Sequence, residues 1–263
     1  MDFTNLFRLD GKVALVTGGS RGIGAMIVEG FLAAGCARVY ISARKGPQVA
    51  EAVERFGDKV VGLPFDLSTV DGCRALAAEI AARESKLDIL INNAGAAWAA
   101  PLADFPESGW DKVMDLNVKT PFFLTQALLP LLKAAGTHDR PAKVVNIGSI
   151  DGMRLNPWET YSYHASKSAI LYLTKRMAAT LVADNINVTA IAPGAFASGM
   201  NRAARDAADA VSKSIPSQRI GVGEDMAAAA IYLCSRAGDY VVGETLTVDG
   251  GLAHAQTKTS IDA

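Results

Sequence analysis

From Lys12 to about Val248 the chain alternates short apolar runs rich in β-branched residues with longer segments whose apolar residues recur three and four apart, unbroken by any linker or internal repeat. This alternation predicts a parallel sheet, because parallel neighbours must be joined by a crossover, usually a helix. Strands are expected at Val13–Thr17, Arg38–Ser42, Val60–Pro64, Asp88–Asn92, Lys143–Ile147, Ile186–Ile191 and Thr245–Val248. Their near-continuous hydrophobic character suits strands covered on both faces. Helical spacing over Ile23–Ala34, Cys73–Ala82, Trp110–Leu132, Tyr163–Val182 and Asp225–Cys234 supplies the covering layers. Right-handed crossovers then give a doubly wound α/β sheet of about seven strands in one domain, 1–263, with ligands beyond the carboxyl ends of the strands. The polar tail 253–263 is expected to be mobile or to form a subunit contact.

Charge excludes some functions. Lys and Arg number 26 against 27 Asp and Glu, and the basic residues form no run, so the footprint of a nucleic-acid binder is missing. The start, MDFTNLFRLDG, has no basic segment followed by an apolar one, and no apolar stretch of about 18 residues occurs, so a cytoplasmic location without membrane contact is expected. Cys36, Cys73 and Cys234 are too scattered for a disulfide framework, and His138, His164 and His254 too scattered for a metal site.

The first strand runs into Thr17-Gly18-Gly19-Ser20-Arg21-Gly22-Ile23-Gly24 and then an apolar helix. Gly18 can make the tight turn, Gly22 lets the backbone approach a pyrophosphate, and Gly24 permits close helix–sheet packing, while the helix start offers unpaired N–H groups. Alone, such a turn is either a nucleotide cradle or a plain strand–helix connection; its place between strand and helix favours the cradle. Its TGxxxGxG spacing resembles the short-chain dehydrogenase/reductase family, whose members are single-domain Rossmann folds. At the end of the second strand, where an enzyme for unphosphorylated NAD would carry an acid, the chain reads Ser42-Ala43-Arg44-Lys45. Arg21 and Arg44 can meet a 2′-phosphate there, so NADP(H) is the expected cofactor; otherwise both are solvated loop residues.

Tyrosine with a basic residue at i+4 is common here, occurring at four of the six tyrosines. Only Tyr163-His164-Ala165-Ser166-Lys167 uses lysine and also follows a strand ending Asn146-Ile147-Gly148-Ser149. An i,i+4 pair shares one helical face at about 6 Å, which lets Lys167 lower the pKa of Tyr163. Tyrosine ordinarily titrates near about 10, so moving its proton at neutral pH needs a fall worth about 3 to 4 kcal/mol, which a neighbouring ammonium and an oxidised nicotinamide can supply.

The resemblance spans about Leu9 to Leu252, through Asp249-Gly250-Gly251. It implies that Ser149 holds the substrate oxygen, that Tyr163 gives or takes the proton as hydride moves at the nicotinamide, and that Asn117 holds a water that extends the proton path through Lys167. Asn117 could instead be a polar residue that kinks its helix. The resemblance places Asp66 and Leu67 at the adenine, although Asp66 could equally cap a turn. It assigns Asn93, Ala94 and Gly95 to the ribose side. Pro193, Gly194, Phe196 and Ser198 fall at the nicotinamide, with Ser198 where the family carries threonine. Asp151 departs from the small or apolar residues common at its position and serves as a turn cap or meets a polar substrate. Gly19-Ser20-Arg21, Ser42-Ala43-Arg44 and Asn146-Ile147-Gly148-Ser149 are most similar to NADPH-dependent 3-oxoacyl reductases linked to rhamnolipid precursors. Trp98, Met153, Leu155, Trp158 and the segment 196–215 are expected to border an apolar substrate pocket, the segment as a lid. Relatives assemble through helices matching 110–132 and 163–182, which implies a homotetramer. An oxidoreductase interconverting a hydrophobic ketone and its alcohol is therefore expected. The alternatives are a polyol or sugar-acid dehydrogenase and, in another class, a non-catalytic NADP-binding regulator, which would not need Ser149, Tyr163, Lys167 and Asn117 together.

Overall fold

In a computed structural model of the protein, which describes residue 3, residues 5–199 and residues 201–255, the strands β1 (Val13–Thr17), β2 (Arg38–Ser42), β3 (Val60–Leu63), β4 (Ile89–Asn92), β5 (Ala142–Ile147), β6 (Ile186–Pro193) and β7 (Thr245–Val248) form one sheet. Their order is β3-β2-β1-β4-β5-β6-β7 and every pairing is parallel. The order reverses between β1 and β4, and the crevice beyond their carboxyl ends is the place a ligand enters such a sheet.

Burial on both faces explains the strand sequences. Along β1, Ala14 and Val16 join the core under α1 (Gly22–Ala33) and α9 (Gly223–Cys234), with Ile27, Phe31, Ile91 and Met226. Val13 and Leu15 join the opposite core under α3 (Val70–Ala81), α5 (Thr120–Ala135) and α6 (Tyr161–Leu181), with Leu76, Leu90, Leu124 and Leu128. Every residue of β5 and β6 is buried, whereas the edge strand β7 is only half-buried, so the expectation of two covered faces fails there.

Two features differ from the expected elements. A helix not anticipated, α2 (Gly46–Phe56), follows β2; Val49 and Ala52 are buried and Val53 and Phe56 pack beside them, while its opening Gly46-Pro47 reads as a turn, and Gly57, whose φ is +84°, ends it. The segment 110–132 is not one regular helix: α4 (Glu107–Met114) passes through a π-helical turn, Asp115–Lys119, into α5. Within 196–215 lie two single-turn helices, α7 (Arg202–Asp206) and α8 (Ala208–Ser212). That segment is anchored at its end, since Ile215 is buried against Ile150 and Leu252. The expected role of the tail falls mostly on 256–263, outside the described residues.

Candidate active site

The crevice starts from the glycine turn. Gly18 and Gly22 hold φ of +67° and +55°, and a Cβ on Gly24 would stand 2.3 Å from the Gly18 carbonyl oxygen, so α1 seats directly on the turn. The start of α1 has no side-chain cap and no acid in its first turn, which leaves its N–H groups and partial positive charge for an anion. From β4, Asn93 and Ala94 donate backbone N–H groups to Thr17 Oγ1, each at 2.9 Å, and Asn93 Nδ2 donates to the carbonyls of Thr17 at 2.8 Å and Gly18 at 3.3 Å. These bonds fix the two lips of the crevice to one another.

At the end of β2, Ser42 is buried and its hydroxyl has no hydrogen-bond partner among the described residues, while Arg44 is exposed. Asp66 accepts from the Ser68 N–H at 3.0 Å and the Ser68 hydroxyl at 2.8 Å, so it caps a turn; these bonds and the charge of Arg44 hold its carboxyl below the ordinary range. Leu67 is buried, with its carbonyl accepting from Thr120 Oγ1. The Arg21 guanidinium reaches Gly199, 3.6 Å from where a Cβ would be, bridging the glycine turn and the segment after β6. Arg55 of α2, not singled out from sequence, donates to the Ser20 carbonyl at 3.4 Å. A phosphate-bearing dinucleotide fits this set: positive-φ glycines, an uncapped helix start, an unpartnered buried hydroxyl and arginines without a competing acid at the strand end.

At the other end, a Cβ on Gly194 would stand 2.6 Å from Asp249 Cβ, locking Pro193-Gly194 beside β7. The Phe196 ring is buried in the core against Gly221, which leaves only its backbone for a ligand. Ser198 Oγ accepts from the Asn201 N–H at 3.0 Å, and its Cβ lies 3.3 Å from where a Cβ on Gly22 would be.

Chain crossover brings Ser149, just past β5, towards Tyr163 in the first turn of α6, near enough for its hydroxyl to favour the ionised phenol. Ser149 is buried and extended, with φ of −167°. One turn on, Lys167 Nζ lies 5.5 Å from the Tyr163 ring centroid and donates to the Ile147 carbonyl at 2.8 Å. Tyr163 is half-buried as a residue, yet desolvation of its hydroxyl pushes its pKa up to about 12 against the lowering effect of Ser149, and Asp151 pushes the same way as burial. Burial also brings Lys167 down to about 8, which Asp151 resists. The expected lowering of Tyr163 by Lys167 is therefore absent in the chain by itself, where burial sets the direction for both groups.

Asn117 stands in the π-helical turn, buried, with Oδ1 accepting from the Ala96 N–H at 2.8 Å and Nδ2 donating to the Ala96 carbonyl at 2.9 Å and to Ser166 Oγ at 3.0 Å. Ser166 Oγ in turn donates to the Tyr163 carbonyl at 2.8 Å. Asn117 thus ties the loop after β4 to the helix bearing Tyr163, and Gly95 leaves room for it: a Cβ there would lie 3.2 Å from its Oδ1. Beneath the site, Asn92 Nδ2 donates to Asn146 Oδ1 at 2.9 Å and Asn146 Nδ2 to Thr174 Oγ1 at 2.9 Å, a buried chain across β4, β5 and α6. Of the expected pocket border, Met153, Leu155 and Trp158 are exposed on the rim, while Trp98 lies over Gly109 with Lys112 Nζ 5.1 Å from its ring.

A strand–glycine turn–helix crevice leading to a Ser, Tyr and Lys set defines a class of oxidoreductase, and comparison with known proteins agrees. A family model described as "Enoyl-(Acyl carrier protein) reductase" matches residues 18–253. The chain belongs to the short-chain dehydrogenase/reductase family. It is 47% identical, over 93% of its length and 97% of the relative's, to a rhamnolipids biosynthesis 3-oxoacyl-[acyl-carrier-protein] reductase of Pseudomonas aeruginosa. It is 37% identical to the 2-dehydro-3-deoxy-D-gluconate 5-dehydrogenase of Escherichia coli, over 93% and 96% of the two chains. Among solved structures, the RhlG/NADP active-site complex of Pseudomonas aeruginosa superposes with a TM-score of 0.91 at 45% identity, covering 95% of this chain and 100% of that one. A gluconate 5-dehydrogenase from Burkholderia cenocepacia, in complex with NADP and tartrate, gives 0.85 at 37% identity, covering 94% and 97%.

Proposed function

We propose that the protein is an NADPH-dependent carbonyl reductase that reduces a 3-oxoacyl thioester or another hydrophobic ketone to its secondary alcohol. The observation that carries this reading is the convergence of Ser149 and Tyr163, with Lys167 Nζ 5.5 Å from the Tyr163 ring, beside a crevice whose second-strand end bears Arg44 and no acid.

In this reading, Gly18, Ser20, Arg21, Gly22, Ile23 and Gly24 hold the pyrophosphate, Arg44 meets the 2′-phosphate, and Asp66 and Leu67 border the adenine. Asn93, Ala94 and Gly95 back the ribose, and the backbone of Pro193, Gly194 and Phe196, with Ser198, meets the nicotinamide. The cofactor, when bound, supplies the hydride and, once oxidised, a positive charge. Ser149 and Tyr163 donate hydrogen bonds to the substrate oxygen, so negative charge that develops on it meets donors already in place. Tyr163 then gives its proton to that oxygen, and Lys167, cationic at neutral pH with its pKa near about 8, favours the resulting phenolate. Asn117 acts on this set by fixing α6 and the loop after β4. The exposed apolar rim of Met153, Leu155 and Trp158 suits a substrate with a hydrocarbon portion.

The same residues form one NADP-binding domain in this reading. Exposed Phe122 on α5 and Tyr172 on α6 support association of these helices into a homotetramer, and three buried free cysteines suit a reducing cytoplasm. Initial rates of NADPH and NADH oxidation over a panel of a 3-oxoacyl thioester mimic, a β-keto ester, an aryl ketone and a keto sugar acid test the function. NADPH-linked turnover of the hydrophobic members supports the reductase; turnover confined to NADH and the sugar acid replaces it with a sugar-acid dehydrogenase.

A further inference from the structure

The turn after Ser149 carries a carboxylate that proton and hydride transfer do not require. Asp151 is the middle residue of the single turn Ile150–Gly152, and its backbone N–H donates to Ser149 Oγ at 3.1 Å. The turn is pressed onto α6: a Cβ on Gly152 would stand 2.6 Å from the carbonyl oxygen of Lys167, and Ser168 Oγ donates to the Gly152 carbonyl at 2.9 Å. Asp151 is therefore held on a fixed turn, two residues past Ser149 and packed on the helix that carries Tyr163 and Lys167. The residue is half-buried, yet among the described residues its carboxylate has neither a hydrogen-bond nor an ion-pair partner. Its field reaches both Tyr163 and Lys167. The other charged residue of the stretch 150–158, Arg154, donates to the Leu252 carbonyl at 3.0 Å.

An anion held beside the reacting centre costs a neutral ketone little. A substrate with its own carboxylate next to the carbonyl must bring a second negative charge into the same partly desolvated space. We propose that Asp151 is a specificity-determining residue that excludes ketones bearing a carboxylate close to the reacting carbonyl, leaving esters, thioesters and uncharged ketones as the accepted class. This rests on the carbonyl-reductase reading above and narrows it, because it turns the site away from small keto acids.

The test uses ethyl benzoylformate and the benzoylformate anion, ketones that differ in whether the carboxyl group is esterified, with NADPH and the full chain. The wild type is expected to favour the ester. Asp151→Asn, close to the same size, and Asp151→Ala should each raise the anion-to-ester ratio of kcat/KM by about tenfold or more, through the KM of the anion. Added salt should narrow the gap in the wild type and leave that of the variants in place. An unmoved ratio in both variants, or a wild type that accepts the anion as readily as the ester, overturns the role of Asp151 while the reductase reading stands. Failure of the folded, NADPH-binding wild type to reduce either ketone overturns that reading and the role of Asp151 with it.

Discussion

Lys167 Nζ lies 5.5 Å from the centre of the Tyr163 ring but gives its hydrogen bond to the carbonyl of Ile147, 2.8 Å away. The ammonium thus stands beside the phenol ring while its hydrogen bond goes to the strand end. It is also fastened to the end of β5, the strand that delivers Ser149, so one side chain links helix α6 to the serine's own backbone.

Tyr163→Phe removes the hydroxyl that meets Ser149 and keeps the ring. Turnover should fall by at least about a hundredfold, the usual contribution of a positioned general acid, while the Kd for NADPH, read by cofactor fluorescence, changes little. Loss of both together would remove Tyr163 from the proton-transfer role.

Lys167→Met tests the linkage between burial and pH. Folding lowers the Lys167 pKa from 10.5 to about 8, so the unfolded chain binds the extra proton between these values and stability rises with pH across that window. Below pH about 8 the folded state bears the full cost of the buried ammonium, on the order of 3 kcal/mol. Tyr163 acts in the opposite sense above pH 10, where the unfolded phenol ionises first and stability falls towards pH 12. Urea unfolding of the variant should show the rise between pH 8 and 10 flattened, together with loss of activity. A rise as steep as in the wild type would place the titration elsewhere.

Arg44→Asp puts an acid at the end of β2, where the wild type has none. KM for NADPH should rise by at least about tenfold, since a charge-assisted bond is lost and a like charge faces the 2′-phosphate, while KM for NADH holds or improves. Equal losses with both cofactors would make Arg44 a surface charge.

Much of this molecule is legible in its sequence, and the reasons are local. β1, β5 and β6 announce themselves because both faces are buried, and the Tyr163–Lys167 pair because a helix repeats every three to four residues. Helix α2 escapes because its opening Gly46-Pro47 reads as a turn although Val49, Ala52, Val53 and Phe56 share its core face, and with it Arg55, whose contact with Ser20 depends on where α2 lies. The π-helical turn escapes too, since the widening around Asn117 arises from partners, Ala96 and Ser166, that are distant in sequence. The same holds for the chain Asn92–Asn146–Thr174, which only the pairing of β4 with β5 assembles. Nor could spacing reveal that burial raises the Tyr163 pKa.

Gly24→Ala places a methyl group 2.3 Å from the Gly18 carbonyl oxygen and 2.6 Å from Asn93 Nδ2. The first obstacle is backbone in a turn that Asn93 already clamps, so α1 must move off the turn or the turn must open. Cofactor affinity should fall at least about tenfold with a lower Tm, because the uncapped N–H groups of α1 no longer converge on the same point. Wild-type affinity in this variant would show that the turn yields freely.

Asn117→Asp is a sharper change than its size suggests. The new side chain can still accept from the Ala96 N–H, but the atom that replaced Nδ2 is now an oxygen facing the Ala96 carbonyl, which donates nothing. On its other side stands Ser166 Oγ, whose proton goes to the Tyr163 carbonyl. Either Ser166 turns to satisfy the new oxygen and releases Tyr163, or the buried oxygen goes without a donor. Both outcomes cost about 1 to 3 kcal/mol, and the first also loosens the first turn of α6. Urea unfolding should register that loss, and kcat should fall more than the affinity for NADPH, because the residue acts on Tyr163 and not on the glycine turn. A variant as stable as the wild type with kcat intact would show that the tie from Ala96 through Ser166 to Tyr163 does not position the site.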